Sequence, residues 1–199
     1  MTRKRLLTLH DDVDRRVHAV AEGRAWWPCR RGCDSCCRRL ADIPRLVAEE
    51  WALLREGLDA LAPNDRAVVD VRIAELARLE REGAVPRHVT CPMLDEAEGA
   101  CRVYAHRPTA CRTYGFYVER GIGLHCDMIT EAVAERPEDA VVWGNAESVD
   151  YALARLAGDA GREASVPLTV WALSSSSSPS PSAEPPRPGV DPSRPSSEM

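Results

Sequence analysis

The chain has 199 residues and a formal net charge of −5. That is enough for one domain with a modest core, and the acidity argues against a nucleic-acid binder held by bulk positive charge. No segment approaches the ~18–20 apolar residues of a membrane helix. The basic start, Arg3-Lys4-Arg5, is followed only by Leu6-Leu7-Thr8-Leu9 before the acids at Asp11 and Asp12, too short for a signal-peptide core. A cytoplasmic protein is therefore expected. In that compartment thiols stay reduced, and dense cysteines point to metal or redox chemistry rather than a disulfide framework.

The first predicted element is a helix whose apolar stripe runs Leu6, Leu9, Val13, Val17 and Val20 and stops at Gly23. After a cysteine cluster, Asp42 is placed to cap a second helix with Pro44 in its first turn and a stripe of Ile43, Leu46, Val47, Trp51, Leu54, Leu58 and Leu61. Pro63-Asn64-Asp65 opens a third, carrying Val69, Ile73, Leu76 and Leu79 to Gly83. The segment 87–127 has proline, glycine and cysteine every few residues and reads as loops and turns, with one short helix starting at Pro108. A last helix is expected over Ala140–Leu156, with Val142, Trp143, Ala146, Val149, Leu153 and Leu156 on its apolar side. No alternating strand pattern stands out. The fold class expected is mainly α, a small helical domain around an irregular, loop-rich cysteine and metal knot. Residues 1–173 form the domain. From Ser174 to Met199 the chain holds ten serines and seven prolines, and a segment so poor in apolar side chains is expected to be disordered.

Chemistry concentrates in eight cysteines: Cys29, Cys33, Cys36, Cys37, Cys91, Cys101, Cys111 and Cys126. The first four fall within nine residues. Thiols that close do not pair into separate disulfides, whose Cα atoms want to lie roughly 4.4–6.8 Å apart. A metal ion or an iron–sulfur cluster gathers thiolates at such spacings. All eight are candidate metal ligands, and the residues admit one four-ligand site with spares, two such sites, or a polynuclear site. His125 and His88 stand near cysteines, but a lone histidine is more often a surface residue than a ligand. His10, His18 and His106 have no comparable claim. Arg30, Arg31, Arg38, Arg39, Arg102, Arg107 and Arg112 all lie within a few residues of a cysteine, where guanidinium charge would stabilise an anionic thiolate centre.

The order of motifs carries a resemblance. Cys29-x-x-x-Cys33-x-x-Cys36-Cys37 is followed by Cys91-Pro92-Met93-Leu94-Asp95, then Cys101-Arg102-Val103-Tyr104. Arg107-Pro108-Thr109-Ala110-Cys111-Arg112-Thr113-Tyr114 completes the series. Over roughly residues 25–130 this resembles the YkgJ-type cysteine-cluster proteins, and the flagellin lysine N-methylases carry a similar cluster. The resemblance implies metal binding, with zinc and iron both proposed and a [4Fe–4S] cluster included; it implies little about a reaction.

Four roles follow as alternatives: a metal-binding protein as such, a metal-dependent modifying enzyme of the methyltransferase kind, a redox or metal-handling protein, and a structural site in an interaction module. The first three-cysteine spacing also matches that of radical S-adenosylmethionine enzymes, but helices rather than repeated strand–helix units follow it here. Neither a glycine-rich phosphate loop, nor a serine elbow, nor a paired-histidine zinc motif is present. A metal ion or cluster is the partner expected, with no membrane and no nucleic acid; a protein partner is not named by the sequence.

Overall fold

In a computed structural model of the chain, the described residues are 2–30, 32–40, 42–156 and 165–176. The first helix, α1 (Thr2–Ala21), turns its stripe inward, with Leu6, Val13 and Val20 fully buried. A one-turn helix α2 (Ser35–Arg38) carries the paired cysteines. The two long helices α3 (Ala48–Asp59) and α4 (Pro63–Arg81) follow, with Pro63 in the first turn of α4 as its fixed φ favours. The expected stops at Gly23 and Gly83 are both left-handed, at φ +71° and +64°.

The second helix starts later than expected. Asp42 does not cap it; its carboxylate accepts the neighbouring Ile43 amide at 2.7 Å. Pro44 biases Ile43 toward extended backbone, and Arg45–Leu46 form a short strand, β1. Helix α3 begins only at Ala48, where the Val47 amide donates to the Glu50 carboxylate at 3.3 Å. The stripe from Ile43 to Leu58 is nonetheless buried throughout.

Between 87 and 145 the chain is more regular than its composition suggests. Strands β2 (Leu94–Asp95) and β3 (Ala100–Cys101) form one antiparallel hairpin, and β4 (Tyr117–Glu119) and β5 (Ile122–Leu124) form another. Helix α5 (Thr109–Thr113) is the short helix expected, although Pro108 flanks it rather than opening its first turn. Helix α6 (Asp127–Ala134) was not anticipated.

The last expected helix loses its first six residues. Gly144–Asn145 instead form β6, parallel to β4. Helix α7 runs Ala146–Leu156, with the Asn145 side chain accepting the Ser148 amide at 3.3 Å. Val142, expected on an apolar face, is exposed.

A final strand β7 (Val166–Pro167) pairs antiparallel with β1, and helix α8 (Leu168–Ser176) packs on α4. Helix α8 carries structure to Ser176, past the boundary expected at Ser174. The rest of the expected disordered tail lies outside the described residues.

The fold is mainly α with small sheets. Two hydrophobic cores organise it. The first gathers Ile43, Leu46, Trp51, Leu54, Leu58, Val69, Ile73 and Leu168. The second gathers Val13, Val20, Trp27, Phe116, Tyr117, Ile129 and Val149. Among the described residues no helix is long and apolar enough to cross a membrane.

Candidate metal centre

All eight cysteines are free thiols, and five of them pack in or against one hydrophobic core or the other. Cys91 belongs to the first core, with Cys37 and Cys101 packed against it. Cys29 and Cys126 pack against the second. Helix α2 stands between, and its two cysteines serve opposite sides.

Local backbone bonds explain the placement. The Cys91 amide donates to the Cys37 carbonyl at 2.7 Å, and Leu40 and Val89 bridge beside them. The hairpin register sets Cys101 opposite Leu94, whose amide bonds back to the Cys91 carbonyl at 3.0 Å. Loops spaced over sixty-odd residues of sequence are thereby drawn to one place.

On the second side, Cys29, Cys33, Cys36 and Cys126 line a crevice of about 10 Å³, closed by Pro28, Tyr114 and Ile129. That is room for about one water-sized sphere. Gly115 makes the closeness possible. Its φ is +94°, and a Cβ there would stand 2.9 Å from the Cys29 sulfur. Only glycine meets both demands without strain.

The electrostatics follow the same grouping, with Cys36 acting on thiols of both sides. Burial pushes the Cys29 thiol up to about 12, reinforced by Cys33, Cys36 and Cys126. Burial likewise raises Cys111 to about 12, with Cys37 and Cys101 adding to it. For Cys37 the contact with Cys36 acts downward, but the hydrogen bond with Cys91, burial and the field of Cys101 carry it to about 12. Cys101 is raised by burial.

Cys36 is raised most strongly, first by its contact with Cys37 and then by burial. The two sulfurs are 4.0 Å apart, close to the ~3.8 Å edge that 2.3 Å bonds give a tetrahedron. Cys111 lies in the first turn of α5, but a five-residue helix has little dipole with which to counter the burial of that thiol. Burial and neighbouring thiols hold these groups in the neutral form, and a bound cation would favour their thiolates. Among the described residues, however, no three His, Cys, Asp or Glu side chains stand in a geometry that would already hold an ion. The thiols are gathered into neighbourhoods, not into a coordination sphere.

The arginines divide sharply. Arg38 pairs with Asp34 at 2.6 Å, Arg102 with Asp65 and Asp95, and Arg112 with Asp14 at 2.7 Å. Arg107 is different: its guanidinium stacks 3.6 Å over the Tyr104 ring and lowers the thiols of Cys29, Cys36, Cys101 and Cys111, reaching both groups. Seven arginines lie near cysteines in sequence, and this one faces them on both sides.

The histidines are engaged elsewhere. His125 stacks on Trp143 with ring centres 5.0 Å apart and meets the Thr130 hydroxyl at 3.3 Å. His88 approaches Arg39 at 3.4 Å. His10, which the sequence gave no role, is buried at 3 % exposure and bonds the Thr109 hydroxyl at 3.1 Å. Thr109 in turn donates its amide to buried Glu50 at 2.8 Å. This network anchors the start of α5 and so positions Cys111. Its signal was present in the sequence, since His10 falls on the apolar stripe of α1 between Leu6 and Val13.

Residues 28–137 match the family model described as "CxxCxxCC: Putative zinc- or iron-chelating domain". Searches of curated proteins and of solved structures gave no match.

Proposed function

Because the chain belongs to the CxxCxxCC family of zinc- or iron-chelating domains, we propose that it is a metal protein whose eight cysteines form one continuous thiolate centre in two halves. Cys29, Cys33, Cys36 and Cys126 make one half; Cys37, Cys91, Cys101 and Cys111 make the other. The observation that carries this reading is the crevice walled by four thiols, joined through the 4.0 Å Cys36–Cys37 contact to the second group. A zinc or iron ion bound there supplies the positive charge that turns raised thiols into thiolates.

The chain's own residues do the rest. Gly115 clears space beside the Cys29 sulfur, and the hairpin of β2 and β3 presents Cys101. Arg107 offsets the negative charge that thiolate ligation leaves behind. The knot over 87–127 depends on that ligation for its stability, and the protein works in a reducing, cytoplasmic setting. Its role is to hold metal, with the centre tying two cores together.

Elemental analysis of protein purified without oxygen tests the reading. Zinc or iron bound at a fixed stoichiometry is expected, and visible absorption separates an iron–sulfur cluster from zinc. Stably folded protein that carries no metal would overturn it.

A further inference from the structure

Helix α5 carries Cys111 and has five residues, too few for a helix to hold itself in water. The Cys111 amide donates to the Pro108 carbonyl of its own turn at 3.0 Å. Cys91 and Cys101 differ, since backbone bonds to other segments place them. Whatever grips α5 therefore places the Cys111 thiol.

Much of that grip comes from α1. His10 and Asp14 stand one turn apart on it and reach Thr109 and Arg112, on either side of Cys111. His10 Nε2 lies 3.1 Å from the Thr109 hydroxyl. That hydroxyl also hydrogen-bonds the Glu50 side chain, which takes the Thr109 amide at 2.8 Å as well. With its proton turned to the carboxylate, the hydroxyl accepts from His10, which puts the ring proton on Nε2. Nδ1 is buried and has no partner among the described residues. An apolar side chain would fill this place without that cost, so the contact to Thr109 is what the imidazole adds.

The second contact reaches further. Arg112, its side chain 9 % exposed, pairs with Asp14 at 2.7 Å. Its other nitrogens donate to the Arg107 carbonyl at 3.0 Å and the Ala105 carbonyl at 2.8 Å. The turn that presents Arg107 to the thiols thus hangs on the same helix. Val13 and Val20 of α1 lie in the second core, against which Cys29 and Cys126 pack. One helix therefore touches both groups of thiols, and it lies ahead of the family-matched residues 28–137.

We propose that α1 is a working part of the metal centre, a clamp in which His10 and Asp14 act through Thr109 and Arg112 as positioning residues for Cys111. Its purpose rests on the metal reading above; its grip on α5 is measurable apart from it.

Hydrogen–deuterium exchange of the full chain as purified, resolved by peptide mass spectrometry, tests the clamp, with zinc and iron measured on the same samples. His10→Leu should speed exchange over residues 109–114 about tenfold and leave the hairpin of β2 and β3 at its original rate. His10→Gln, whose amide can donate to the same hydroxyl, should restore the protection. Asp14→Asn should speed exchange over 109–114 about two- to fivefold and decides the matter if His10→Leu fails to fold. Release of bound metal to a competing chelator should quicken in the same order of variants. Equal acceleration of α5 and the hairpin, unchanged exchange in the folded variants, or a His10→Gln that behaves like His10→Leu would each overturn the clamp. Unchanged metal release from His10→Leu would overturn its part in the centre. Protein that arrives without metal yet shows the pattern confined to α5 would count against the metal reading and leave the grip of α1 standing.

Discussion

The two cores are built from the same materials but seat their cysteines differently. The first is a helical wedge of α3, α4 and α8, and its thiols sit on a hairpin and on backbone bonds between loops. The second packs α1, α6 and α7 around a small mixed sheet and a cluster of aromatics, with Trp27 in contact with Trp26, Trp143 and Phe116. Its thiols surround a crevice. Apolar burial supports the helices on both sides and reaches the cysteine segments at Met93, Leu94, Val103 and Phe116; those segments are otherwise joined by backbone hydrogen bonds between loops. The difference teaches that the metal centre proposed above would draw its ligands from both cores and lie at the seam between them.

Stripping the metal gives the sharpest test of that contrast. Structural zinc sites supply on the order of 10 kcal/mol of apparent binding energy. Chelation should therefore raise protease cleavage between Pro86 and Met128 by orders of magnitude while cleavage within α4 rises far less. Equal protection of both regions without metal would erase the distinction.

The halves can next be separated by single thiols. Cys33→Ser and Cys111→Ser should each shed about half of the bound metal, while Cys36→Ser, at the junction, should shed most of it. Elemental analysis of each variant reads this out. Complete loss in every variant would mean one indivisible centre.

Within the cores, Leu58→Ala should cost about 2–5 kcal/mol in denaturant unfolding, since Leu58 is 1 % exposed. Gly115→Ala combines a strained φ with a clash against the Cys29 sulfur and should cost about 1–3 kcal/mol. It should also weaken metal retention on that side alone, whereas Leu58→Ala should leave metal content intact.

The smallest effect concerns His10, whose pKa is lowered to about 4, first by burial and then by Arg112. A histidine depressed in the folded state stays neutral there while the unfolded chain takes up a proton. Stability should therefore decline as pH falls from about 6.5 toward 4, by on the order of 2 kcal/mol. His10→Gln should flatten that slope in unfolding measurements. Buried Glu50, raised by burial, acts in the opposite sense and is left in place by this substitution.

The long helices were legible because their apolar stripes run over several turns: Leu6, Val13 and Val20, and Val69, Ile73 and Leu76, are buried as expected, with Leu9 and Val17 half-buried. The cysteine motifs were legible because their order and spacing are those of the family whose model matches residues 28–137. What escaped was short and tertiary. Strands of two or three residues, such as Leu94–Asp95, have no period to read, and β6 exists only because Gly144 and Asn145 meet Tyr117 and Val118. The start of α3 was misplaced because Asp42 and Pro44 imitate a cap, while pairing with Val166 and Pro167 pulls the chain into a strand. How the thiols divide between the cores also lay outside the sequence, since Cys36 and Cys37 are neighbours that face different halves.

The long-range closures bear on the order in which the protein is made. Helix α7 covers α1, and α8 covers α4, so each core is completed by an element from the last third of the chain. Every cysteine lies between residues 29 and 126, ahead of both closing helices. During synthesis all eight thiols therefore leave the ribosome ahead of the helices that complete the two hydrophobic cores, so the cysteine segments are made before either core can close.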